Sequence, residues 1–142
     1  MIKVVDTKQE ILELEQLRLK CTRNYSVLEA PKRTFFGEKL LNREFIGLSI
    51  VENEEMIAGC IISDHLNNLY IEWIFTHPDY RKKGYASKLL KYIEQNIDTF
   101  SEYYSKEFHK IKLEPYTGTE GLYLNNGYSI SQNNHMVKSI MH

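Results

Sequence analysis

The run "NLYIEWIFT", Asn68 to Thr76, constrains the fold more than any other stretch of the chain. Leu69, Ile71, Trp73 and Phe75 alternate with Tyr70, Glu72, Ile74 and Thr76, so both faces of an extended segment here are largely apolar. A strand with no water-facing side belongs in the middle of a sheet that is covered above and below. The remaining segments are then expected to supply cover for both sides.

They do so in a recognisable order. "IKVVD" reads as a first strand, and "TKQE" after it offers Thr7 as N-cap with Glu10 three residues on, the reciprocal arrangement that satisfies orphan amides at a helix start. A first helix is expected to run to about Arg23, burying Ile11, Leu14, Leu17 and Cys21, with Leu12 and Leu19 widening the stripe. Pro31 interrupts the pattern, and "RTFFGEKLLN" is compatible with a short second helix. "FIGLSIVENEEMIAGCIISD" gives two strands split by the polar "ENEE", a hairpin signal. After the central strand, one long helix is expected, with Ala86, Leu89, Leu90, Ile93, Ile97 and Phe100 on a single stripe. "KIKLE" returns as a strand, "TGTEGLYLNN" as a helix stopped by Gly127, and "YSISQNNHMVKSI" as a closing hairpin around "QNN". Alternation of this kind predicts a mixed α/β sheet of six to seven strands flanked by about four helices. A chain of 142 residues with 42% hydrophobic content is expected to form one domain over residues 1–142.

The junction "THPDYRKKGYASKLL" carries the chemistry. A helix start presents amide N–H groups without intrahelical partners, and the summed peptide dipoles add partial positive charge there. Gly84 removes a side chain where a ligand approaches the backbone, Ala86 keeps the next turn small, Ser87 adds a hydroxyl, and Arg81, Lys82 and Lys83 add full charges. The combination suits a diphosphate. Neither G-x-x-x-x-G-K-[ST] nor a G-x-G-x-x-G after a strand is present, which removes the main support for nucleoside triphosphatase and dinucleotide-binding readings.

Charge and composition exclude other classes. Eighteen basic against nineteen acidic residues leave a net charge of -1, without the broad positive field of a general nucleic-acid binder, and no nucleic-acid partner is expected. Two widely spaced cysteines, Cys21 and Cys60, suggest neither a disulfide framework nor a metal knuckle, and the five histidines do not cluster at ligand spacing, so no metal is expected. With no apolar leader and no run long enough to span a bilayer, a cytoplasmic protein without a membrane partner is expected.

These residues resemble the GNAT superfamily of acyl-CoA-dependent N-acetyltransferases. "THPDYRKKGYASKLL" is similar to the signature [RQ]-x-x-G-x-[GA] after a strand, with Arg81, Gly84 and Ala86 at the matching positions and Pro78 and Tyr80 before them. "GLYLNNGYSI" is similar to the family's late helix, with Tyr123, Gly127 and Tyr128 matching. Tyr116 stands where many members have an Asn. The resemblance implies transfer of an acetyl group from acetyl-CoA to a primary amine, by direct attack in a ternary complex. It implies that the signature strand parts from "KIKLE", leaving a V-shaped gap for the pantetheine arm, with Ile74, Phe75, Thr76, Arg81, Lys82, Lys83, Gly84, Tyr85, Ala86 and Ser87 holding the cofactor.

The resemblance implies Tyr123 as the candidate general acid toward the leaving thiolate, and Glu72 is the candidate general base, because a carboxylate in so apolar a strand needs a partner or a wet cleft. Tyr25, Phe35 and Phe36 are candidates for lining the acceptor site. A small-molecule amine is the expected substrate; a peptide or protein N-terminus, and a non-catalytic acyl-CoA sensor or assembly module, are the alternatives. The final strand "HMVKSI", if it forms a sheet edge, offers a surface for a homodimer.

Overall fold

The computed structural model describes residues 1–21, 36–116 and 118–140. The elements run β1 (Ile2–Val5), α1 (Lys8–Cys21), α2 (Gly37–Leu41), β2 (Phe45–Glu52), β3 (Glu55–His65), β4 (Asn68–Thr76), α3 (Tyr85–Gln95), α4 (Ile97–Tyr104), β5 (Lys110–Leu113), α5 (Glu120–Asn125), β6 (Ser129–Ile130) and β7 (Met136–Ser139). The strands form one seven-stranded sheet in the order β1-β2-β3-β4-β5-β7-β6. Every pairing is antiparallel except β4 with β5, which is parallel. Mixed sheet and helical cover match the expectation, with β4 central.

Two cores lie on opposite faces of this sheet. On one, α3 and α4 bring Leu89, Leu90, Ile93 and Phe100 against Leu48, Ile62, Leu69 and Ile71. On the other, α1 brings Ile11, Leu14 and Leu17 against Ile61, Trp73 and Phe75. Each such side chain removed from water contributes about 1.5–3 kcal/mol before the ordering entropy is counted. Helix α1 lies close on the sheet because β3 has Gly59 beneath it: a Cβ there would meet Leu14 Cδ1 at 2.5 Å and the Phe75 ring at 2.8 Å.

Four expectations need correction. Leu69, Ile71, Trp73 and Phe75 do not share a face: the first two belong to the α3 core and the last two to the α1 core, for a reason that defines the site below. The single helix expected through Phe100 is two, α3 and α4, broken at Asn96, whose amide donates to the carbonyls of Tyr92 and Ile93 at 3.0 and 3.3 Å, and this gives five α-helices among the described residues. In α1, Leu12 is exposed, while Glu15 and Arg18 are buried, so the stripe is narrower and more polar than its leucines suggest. Finally, β7 lies between β5 and β6 and is not an edge; β1 and β6 are.

The N-terminal cap forms as read. Thr7 Oγ1 accepts from the Glu10 amide at 3.1 Å, and Glu10 Oε1 accepts from the Thr7 amide at 3.2 Å. Lys3 on β1 adds an ion pair to the same carboxylate, and this contact, followed by those from Asp6 and Thr7, holds the Glu10 carboxyl down to about 2. A depressed carboxyl stabilises the fold above its unfolded value of 4.5, and the contribution disappears as pH falls through about 2. Glu10→Ala is therefore expected to cost about 1 kcal/mol at neutral pH and almost nothing at the acid end of that window, as read by urea unfolding across the range.

Candidate active site

The site begins with one extra residue. Ile61 pairs with Trp73 and Ile62 with Ile71, leaving Glu72 without a β3 partner, so β4 carries a bulge at Glu72. A bulge adds local twist and can end pairing on one side of a strand. Here β4 pairs with β5 from Leu69 to Ile71, opposite Ile111 to Leu113, while Glu72 to Thr76 have no β5 partner among the described residues. The second half of β4 turns away from β5, and the bulge also moves Trp73 and Phe75 to the α1 face.

The gap opens into a cleft of about 570 Å³. Ile74, Phe75 and Thr76 form one wall, and Tyr116, Thr119, Leu122 and Tyr123 the other. At its end lies the loop into α3, contributing Tyr80, Arg81, Lys82, Gly84, Tyr85, Ala86 and Ser87. Backbone at Lys82 and Gly84 has φ of +64° and +86°, the left-handed turns that bring the chain round onto the helix. The first helical bond of α3 runs from the Lys88 amide to the Gly84 carbonyl at 3.1 Å, so the amides of Tyr85, Ala86 and Ser87 precede it at the cleft. Nothing stands within 4 Å of where a Gly84 Cβ would be, leaving the backbone open to a ligand.

The basic residues divide their work. Arg81 Nε donates to the Thr76 carbonyl at 3.2 Å, and Cys21 Sγ donates to the same oxygen at 3.3 Å, fixing the end of β4 to the loop and to α1. Lys82 lines the cleft. Lys83 is absent from its lining and carries its ammonium 5.5 Å from the Tyr80 ring centroid. His77 Nδ1 accepts from the Asp79 amide at 3.1 Å, capping the short 3-10 turn Pro78–Tyr80.

Tyr123 projects from α5, is 4% exposed, and meets Tyr128 edge-on at 5.9 Å. Glu72 is half-buried and accepts from Ser63 Oγ at 2.8 Å. Ser63 stands two residues along β3 from Ile61, whose side chain packs in the α1 core, so Glu72 lies on the α1 side of the sheet. Tyr70 shares that neighbourhood: burial first, then the carboxylates of Glu72 and Glu114, pushes its phenol up to about 12. The arrangement brings together an amide-lined loop with basic side chains, a strand wall without a β5 partner, a buried phenol and, across the sheet from the first core, a half-buried carboxylate.

The family model described as an acetyltransferase (GNAT) domain matches residues 32–130. The chain belongs to the GNAT acetyltransferase family. Solved GNAT structures share its fold along almost the whole length. The PaiA N-acetyltransferase of Thermoplasma acidophilum, in complex with coenzyme A, superposes with a TM-score of 0.77 at 15% identity, covering 98% of this chain and 99% of that one. A GNAT-family acetyltransferase of Desulfovibrio desulfuricans gives 0.79 at 12% identity, covering 99% of both chains. The ribosomal-protein-S18-alanine N-acetyltransferase of Escherichia coli gives 0.70 at 13% identity, covering 100% of this chain and 96% of that one. No curated protein matches by sequence.

In this GNAT chain the cofactor candidates other than Lys83 meet Tyr123 in one cleft, whereas Glu72 is not among the residues that line it. Phe36 packs edge-on against Phe45 and Trp73 at 5.5 and 6.3 Å, with the Arg18 guanidinium 4.3 Å from its ring centroid. Tyr25 and Phe35 lie outside the described residues. Sequence reasoning missed Cys21 and Thr119 at the cleft; a cysteine at the far end of α1 carries no local sign of meeting the end of β4. Tyr116, noted as standing at the family's Asn position, lines the cleft and meets Trp73 at 5.2 Å. Among the described residues no helix is long and apolar enough to cross a membrane, and no group of three metal-ligating side chains forms.

Proposed function

We propose that this protein transfers an acetyl group from acetyl-CoA to the primary amine of a small molecule, by direct attack while both substrates are held. The observation that carries the reading is the parting of β4 from β5 at Glu72, which opens a strand-lined cleft between the amide end of α3 and the Tyr123 phenol. The residues fit the donor. Amides of Tyr85, Ala86 and Ser87, with Arg81 and Lys82 beside them, suit its diphosphate, and the unpaired backbone of Ile74 and Phe75 suits the amides of its pantetheine arm, added like another strand. Lys83 adds charge to the approach.

The chemistry needs a neutral nucleophile and a proton for the leaving group. Glu72, which stands outside the cleft lining, takes a proton from the incoming ammonium through water, and the freed nitrogen lone pair forms the N–C bond at the thioester carbonyl. As the C–S bond breaks, its electron pair stays on sulfur, which receives the Tyr123 phenolic proton. The phenolate recovers a proton from the newly formed amide nitrogen through solvent, so one proton is released per turnover. Phe36, Tyr25 and Phe35 are proposed at the acceptor side.

A calorimetric titration with coenzyme A, followed by thiol release from acetyl-CoA across a panel of small amines, tests this. Binding followed by turnover with at least one amine is expected. Gly84→Val is expected to weaken binding about tenfold, since a branched side chain opposes the left-handed backbone and intrudes on the anion site. Folded protein that ignores coenzyme A at millimolar levels would overturn the reading, and binding without turnover on any amine would leave the non-catalytic module in its place.

A further inference from the structure

The candidate acid and the candidate diphosphate site belong to different helices, α5 and α3, that no backbone pairing joins. One side chain spans them. Asn126, at the C-terminal end of α5, donates through Nδ2 to the Leu122 carbonyl at 2.8 Å and to Ser87 Oγ at 3.1 Å. A carbonyl oxygen only accepts, so the Leu122 contact fixes the amide NH2 on this side, and its second hydrogen goes to Ser87. With a lone pair of Ser87 Oγ occupied by Asn126, the hydroxyl keeps its hydrogen to donate elsewhere, and Ser87 lines the cleft.

The same residue is held from behind. Lys138 Nζ on β7 donates to the Asn126 carbonyl and to Glu94 Oε2 on α3, each at 2.8 Å. The Asn126 amide in turn donates to the Tyr123 carbonyl at 3.0 Å, and so does the amide of Tyr128. Ser87, Asn126 and the backbone of Tyr123 therefore form one hydrogen-bonded path from the first turn of α3 to the phenol-bearing turn of α5.

We propose that Asn126 is a positioning residue: it turns the Ser87 hydroxyl toward a bound diphosphate and sets the Tyr123 phenol at the distance at which the sulfur of the same carrier arrives. The inference rests on Tyr123 acting on that sulfur. Its consequence is that a side chain that does not line the cleft controls the protonation of a bound thiol.

The test uses coenzyme A itself, so no acceptor amine is needed. The thiol of the bound carrier is titrated by its thiolate ultraviolet absorbance, as a difference against desulfo-coenzyme A, in wild type, Tyr123→Phe, Asn126→Asp and Ser87→Ala. A phenol donating to the thiolate favours the charged form, so the bound thiol is expected near pKa 7.5 in wild type, about 1 below the ordinary thiol value of ~8.5. Tyr123→Phe is expected to remove that lowering. Asn126→Asp keeps the shape but replaces the donors with an acceptor that draws the Ser87 hydroxyl away from the diphosphate, so it is expected to remove most of that lowering and to raise the Kd for coenzyme A about tenfold. Ser87→Ala reaches the link from the other side and keeps the question answerable if Asn126→Asp does not fold. If Tyr123→Phe raises the thiol pKa while Asn126→Asp and Ser87→Ala leave it at the wild-type value, the positioning role alone is overturned, even if their melting temperatures fall. If Tyr123→Phe itself leaves it unchanged, the acid assignment fails and the positioning role falls with it.

Discussion

Tyr123→Phe is expected to lower kcat for acetyl transfer by about a hundredfold or more while leaving the affinity for coenzyme A nearly unchanged. The ring is 4% exposed and rests edge-on against Tyr128, and phenylalanine reproduces that packing, so the variant separates the hydroxyl from the shape. Losing a proton donor that acts as the C–S bond breaks affects the transition state and not the bound ground state. Steady-state rates with an amine found by screening, beside calorimetry for the carrier, read the two effects apart. A kcat within a few-fold of wild type would remove Tyr123 from the reaction.

The largest expected effect on stability lies in α1. Arg18 Nε and Nη2 donate to the two Glu15 oxygens at 2.6 and 3.2 Å, both side chains are essentially inaccessible, and Glu15 Oε1 also accepts from the Phe36 amide. The guanidinium lies 4.3 and 5.0 Å from the ring centroids of Phe36 and Trp73. Arg18→Met strands the Glu15 carboxylate in an apolar layer and is expected to cost about 3–5 kcal/mol in urea unfolding. Adding Glu15→Gln is expected to restore much of this, because the amide oxygen still takes the Phe36 N–H and no charge remains unpaired. A double variant no more stable than Arg18→Met would mean that the pair contributes through packing alone.

The parts of this fold that were legible in the sequence share a cause: each is written in local periodicity or in turn chemistry. Alternation marked the strands, Thr7 and Glu10 the start of α1, "ENEE" the hairpin between β2 and β3, and the Arg81-to-Ser87 segment the start of α3. What stayed hidden depends on partners distant in the chain. The stripe Leu89, Leu90, Ile93, Ile97, Phe100 keeps helical spacing straight across Asn96, so nothing local announces the break. Nothing local marks Glu15 and Arg18, three apart on a helix, as buried; it is Phe36 and Trp73, distant in the chain, that close over them. Asn126 falls in a stretch read as a plain helix end, and only the return of α5 toward α3 gives its amide a second acceptor. The acceptor side was read least well, because aromatic residues such as Phe36 are equally at home in a core and in a pocket wall.

The bulge at Glu72 has a further consequence. Strike that residue from the strand and the alternation becomes regular: Leu69 and Ile71 keep their places, Trp73 still faces Ile61, and no side chain has to change layers. Strand β4, in other words, contains one amino acid that its hydrophobic blueprint does not require. A β4 shortened by that residue is expected to keep both hydrophobic layers while closing the gap proposed for the carrier.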